Sequence, residues 1–211
     1  MEIESIDTTH LRLGHQEVRV VCVESPLLFW VQLRSDEKIY QKLQEKLQIK
    51  MAANKRFMTN IREDQAVSVL YDKHWRRGLI IRVSRIVGAA EIFLKDIGRK
   101  ICLPYNELYE LDHEFRKLPW QAITCGLAYT GSEPPTLTWP EVNKNLARIV
   151  AEGNKGWINI VQPLWKGAAL VNLRLKSINF DATYDYKEAL IKLGIARHSK
   201  NIMEHVSPAI Q

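Results

Sequence analysis

A chain of 211 residues with 46% hydrophobic and 26% charged content can bury a sizeable core, which excludes broad disorder. A net charge of +6 permits an acidic partner such as RNA, although no aromatic motif of the RNA-binding type accompanies it. No apolar run approaches the ~18 residues that span a bilayer. The acidic start Met1-Glu-Ile-Glu-Ser5 lacks the order of a secretory signal, so an intracellular protein without a membrane partner is expected.

Residues 1–16 show little periodicity and read as a partly ordered lead-in. Val18, Val20 and Cys22 alternate with polar positions, Glu24-Ser-Pro26 supplies a turn, and Leu28 to Val31 is apolar, which predicts a β-hairpin over 17–33. Ser35-Asp36-Glu37 offers a cap and an acidic first turn. Ile39, Leu43, Leu47 and Met51 recur every four residues behind it, so a helix is expected over 36–54 with those four as its buried stripe.

The most informative stretch runs from Val67 to Arg99, where strands are expected at 66–71, 75–86, 90–95 and 100–103. Trp75, Leu79, Ile81 and Val83 alternate with Arg76, Gly78, Ile80 and Arg82, as on a strand with one buried face. Gly98 closes a tight Asp-Ile-Gly turn that calls for a positive φ. Gln121 to Tyr129 is strand-like, and Gly131-Ser-Glu-Pro-Pro135 is a loop. Thr138-Trp-Pro140-Glu141 reads as a capping box for a helix with Val142, Leu146, Ile149 and Val150 buried and Gly153 at its end. Strands at 157–164 and 170–175 and a short helix from Asp185 to Leu193 follow, and the tail from Arg197 is expected to fray.

Cys22, Cys102 and Cys125 are an odd set in apolar segments, without Cys-x-x-Cys or zinc-spaced histidines. They read as buried free thiols, and no metal or cofactor is expected. No phosphate-binding loop, nucleophile elbow or His-Glu-x-x-His is present, and His74 beside Trp75 has no catalytic partner in view, so the chain reads as not an enzyme.

The central stretch resembles a Tudor domain, with Trp75, Arg77, Gly78, Phe93, Asp96 and Gly98 in register with the family pattern. Phe115-Arg-Lys-Leu118-Pro119-Trp-Gln121-Ala-Ile123 and Ala189-Leu-Ile-Lys-Leu-Gly194-Ile-Ala196 are similar to segments of the extended Tudor domain. That resemblance implies a β-rich α+β fold, a Tudor β-barrel inserted into a split staphylococcal-nuclease-like, OB-type fold with a linker helix. It also implies boundaries of 15–64 for the first nuclease-like part and helix, 65–113 for the Tudor core, 114–197 for the second part and 198–211 for the tail.

In this family a cage of aromatic residues and an Asn holds a methylated arginine. The positions that match it here carry Leu70, Arg76, Leu94, Ile97 and Arg99, none aromatic and none Asn. Trp75, Arg77, Asp96 and Gly98 are expected to support the scaffold, Arg77 and Asp96 as a salt bridge bracing the turn. Each lost cation–π contact forfeits roughly 0.5–2 kcal/mol. A facing arginine at ~4 Å adds on the order of 4 kcal/mol of repulsion at an effective dielectric of ~20. The resemblance therefore implies a scaffold of the piRNA pathway that binds the N-terminal peptide of a PIWI-type Argonaute independently of methylation, in a perinuclear cytoplasmic germ granule. A domain that has lost peptide binding and instead self-associates or binds RNA is the alternative.

Overall fold

The computed structural model describes residues 2–12, 14–133, 138–177 and 182–203. In chain order the elements are β1 (His15–Ser25), β2 (Leu28–Leu33), α1 (Glu37–Ala53), β3 (Ala66–Tyr71), β4 (His74–Ser84), β5 (Ala89–Leu94), β6 (Arg99–Pro104) and β7 (Tyr109–Glu110). They continue with β8 (Ala122–Leu127), β9 (Thr130–Ser132), α2 (Glu141–Ala151), β10 (Lys155–Pro163), β11 (Ala168–Lys176), β12 (Thr183–Asp185), α3 (Tyr186–Lys192) and β13 (Ala196–His198). They form two compact units, one of Met1–Ser5 with Asp36–Gln121 and one of Ile6–Ser35 with Ala122–Gln211. The first unit thus interrupts the second in sequence.

In the second unit a sheet runs β10-β1-β2-β8-β11-β12, and β10 also pairs with β11, so five strands close on themselves. All neighbours are antiparallel except β8 and β11. Alternating inward residues Val18, Val20, Phe29, Val31, Ile123, Ile158 and Leu173 fill the interior. Gly156 lies where a Cβ would meet the Arg174 carbonyl oxygen at 2.2 Å, so only glycine lets β10 and β11 approach this closely.

In the first unit β6-β5-β4-β3-β7 form an antiparallel barrel sheet around Val67, Val69, Ile80, Ile92, Leu94 and Leu108. A Cβ on Gly78 would stand 2.4 Å from Ile92 Cγ2 and 3.2 Å from Leu94 Cδ2, so the barrel interior is filled at this point. A second cluster, built on Leu47, Met51, Leu111, Phe115 and Trp120, packs α1 with Trp75 and Leu79 of β4. The helix therefore belongs to the same compact unit as the barrel, where the sequence reading grouped it with the nuclease-like part.

Several expectations shift. Both faces of β4 are covered: Arg77, Gly78 and Ile80 are buried and Leu79 and Ile81 half-buried, with a register shift between Ile80 and Arg82. Along α1 only Leu47 and Met51 are buried, and Ile39 is exposed. On α2 the face toward the core is Ala147 and Ala151, with Val142 and Ile149 exposed, because the two alanines let the helix sit close against the sheet. Cys102 is exposed on β6, an edge strand with alternating exposure, while Cys22 and Cys125 are buried. The lead-in is ordered where Trp120 N–H donates to Glu4 O at 2.8 Å. The start of the tail forms β13, paired with β9, which occupies the first residues of the expected loop. Residues 134 and 135 of that loop and the tail beyond 203 lie outside the described residues.

Candidate functional site: the barrel turn and its helix

The β5–β6 turn is held by Arg77. Its Nε donates to Asp96 Oδ2 at 2.9 Å, and Nη2 donates to Asp96 Oδ1 at 2.7 Å and Pro119 O at 3.0 Å. Nη1 donates to the Phe115 and Leu118 carbonyls at 2.8 and 2.7 Å. All five guanidinium hydrogens therefore have acceptors, which is what a buried arginine requires. Asp96 Oδ1 also accepts from Gln121 N–H at 3.0 Å, and the Trp120 ring lies 5.0 Å from the guanidinium carbon. The 115–121 segment is thus shaped by one side chain of β4. The expected salt bridge is present, and Gly98 takes φ +68° at the turn.

The five cage-matching residues are distributed as follows. Leu94 is fully buried in the barrel core, and Ile97 is half-buried against it, its N–H donating to Leu94 O at 3.0 Å. Arg99 is half-buried and stands opposite Leu94 in the β5–β6 register. These three are adjacent at one turn. Leu70 is 50% exposed opposite Trp75, outside the core cluster that holds Leu94. Arg76 stands opposite Val69 and is half-buried, its Nη1 donating to Gln44 Oε1 at 3.2 Å and to the Tyr40 hydroxyl at 3.5 Å.

Residues of α1 that sequence reasoning passed over complete this region. Gln48 takes the Trp75 N–H on Oε1 at 2.8 Å and gives Nε2 to the Trp75 carbonyl at 2.9 Å, continuing the ladder beyond the point where β5 stops pairing with β4. Tyr40, Gln44 and Gln48 recur every four residues, a polar stripe beside the apolar one, and that spacing was the available signal. Burial raises the Tyr40 pKa, with nearby Asp96 adding to the effect, so its hydroxyl keeps its proton.

Several charges around the barrel are committed. Lys50 Nζ and Arg56 Nη2 reach the Asp112 carboxylate at 2.8 and 2.6 Å, and Arg56 Nε reaches Glu110 at 3.2 Å. Lys55 Nζ lies 5.5 Å from the Trp75 ring, which also meets Tyr109 edge-on. Asp72, Glu107 and Glu114 are exposed and make no ion pair among the described residues. No group of three or more His, Cys, Asp or Glu among the described residues could hold a metal, and no helix among them is long and apolar enough to cross a membrane.

Solved structures share this fold. The extended Tudor domain TD3 of mouse TDRD1, in complex with a MILI peptide containing dimethylarginine, superposes with a TM-score of 0.80 at 17% identity, covering 94% of this chain and 99% of its own. The Drosophila melanogaster Papi extended Tudor domain, in complex with a Piwi N-terminal me2s peptide, gives 0.74 at 21% identity, covering 88% and 99%. The human TDRD1 extended Tudor domain, with a symmetrically dimethylated E2F peptide, gives 0.75 at 18%, covering 88% and 91%. No curated protein matches the sequence. The Tudor domain model matches residues 14–129, more than half of the 211. The chain therefore belongs to the Tudor domain family, and its fold is that of an extended Tudor domain.

Proposed function

We propose that the chain is a non-catalytic peptide-binding scaffold that takes an arginine-bearing N-terminal segment of a PIWI-type Argonaute without requiring methylation. The observation that carries this reading is the side-chain set Leu70, Arg76, Leu94, Ile97 and Arg99 at the cage-matching positions. None offers the π face that attracts a dimethylguanidinium, and two carry its own sign of charge. Relatives of the same fold hold MILI and Piwi peptides, which supports a peptide of that class. Exposed Asp72, Glu107 and Glu114 supply carboxylates for a plain arginine, since Glu110 and Asp112 already serve Arg56 and Lys50. With such a partner the chain acts in the germ granule of the piRNA pathway. RNA binding is the weaker reading, because the basic residues Lys50, Arg56 and Lys55 are engaged internally.

The test is competition. A fluorescent plain PIWI N-terminal peptide bound to the chain is displaced by its unlabelled plain and symmetrically dimethylated forms. Equal midpoints are expected, and a midpoint about tenfold lower for the dimethylated form contradicts the reading.

A further inference from the structure

The three nitrogens of the Arg76 guanidinium are not used alike. Nη1 is shared between Gln44 and Tyr40, whereas Nε is buried without an acceptor. Among the described residues Nη2 makes no hydrogen bond, and unlike Nε it is reached by solvent. Gln44 Nε2, on the side chain that Nη1 touches, is a second buried donor without an acceptor. No carboxylate among the described residues pairs with Arg76, in contrast to neighbouring Arg77.

Buried donors are normally satisfied, because leaving one unmade is costly. A guanidinium Nε and a side-chain amide nitrogen that are both buried without an acceptor mark a place short of negative charge. Nε and Nη2 lie along one edge of the planar group, the spacing at which arginine grips both oxygens of a carboxylate. Tyr40 brings no competing charge, since its hydroxyl stays protonated.

We propose that the Nε–Nη2 edge of Arg76, with the Gln44 amide, is a carboxylate receptor for an Asp or Glu side chain of the bound peptide. The inference rests on the barrel's being a peptide-binding unit. An arriving carboxylate meets the solvent-open Nη2 first and reaches Nε by a small rotation of the guanidinium. A peptide that carries an acidic residue here and a plain arginine near Asp72, Glu107 or Glu114 satisfies both sets of groups.

The experiment uses the full nitrogen-15-labelled chain and two probes without arginine, N-acetyl-Ala-Glu-Ala-amide and N-acetyl-Ala-Gln-Ala-amide. The Arg76 Nε–Hε resonance, assigned by its loss in Arg76→Gln, is followed by NMR. It is expected to move with the glutamate probe, the glutamine probe needing about ten times the concentration for the same shift. Arg76→Lys keeps the charge and removes the edge, and the Gln44 amide resonance in that variant is expected to respond at least about tenfold more weakly. Equal movement with both probes, or none with either, overturns the proposal. Because neither probe resembles a PIWI peptide, failure of such a peptide to bind leaves this result standing, and the reverse also holds.

Discussion

Arg77 and Arg76 are adjacent in sequence and opposite in role. Arg77 has an acceptor for every hydrogen and locks Asp96 to the 115–121 segment. Arg77→Lys keeps the charge but loses the fork, and stability is expected to fall by about 3–5 kcal/mol in denaturant unfolding, as for a buried pair stripped of one partner. An unchanged midpoint contradicts the assignment. Gly78 lies against Ile92 and Leu94, so Gly78→Ala is expected to cost about 1–3 kcal/mol by overpacking. That cost is measured by the same unfolding curve. The role of Arg77 was legible in outline from its place in the Tudor pattern. The contacts of Arg76 were not, because its partners Tyr40 and Gln44 lie 36 and 32 residues away on a helix.

At the scale of elements, α1 is tied to the barrel by side chains that mimic a strand. Gln48→Ala leaves the Trp75 N–H and carbonyl without their partners and is expected to cost roughly 1–3 kcal/mol. Hydrogen exchange at Trp75 should quicken with it. Lys50 and Arg56 bind Asp112, and hydrogen bonding from Lys50 leads the lowering of its pKa. A carboxylate depressed in the folded state stabilises above its unfolded pKa of about 4 and loses that contribution as pH falls through the folded value. Asp112→Asn is therefore expected to flatten the acid limb of the stability profile below about pH 4, read from melting at stepped pH. The barrel strands were legible because short runs rich in β-branched and aromatic residues recur along 66–104 and the Asp96-Ile-Gly98 turn separates two of them. The buried face of α2 was not, since Ala147 and Ala151 carry too little hydrophobicity to outweigh Val142 and Ile149 in a periodicity argument.

For the whole molecule, the insertion of one unit into the sequence of another was legible only through the Leu118-Pro119 and Gly194 segments. Periodicity alone treats strands on either side of the barrel as unrelated, although β2 and β8 pair directly across about 90 residues. The proposed function turns on this Tudor scaffold binding its peptide without reading methylation. The most direct test is calorimetric titration of the chain with plain and symmetrically dimethylated PIWI N-terminal peptides at two salt concentrations. Dissociation constants that agree within about threefold are expected, with a shallower salt slope than counterion release from RNA produces. A tenfold or greater preference for the dimethylated peptide would contradict it.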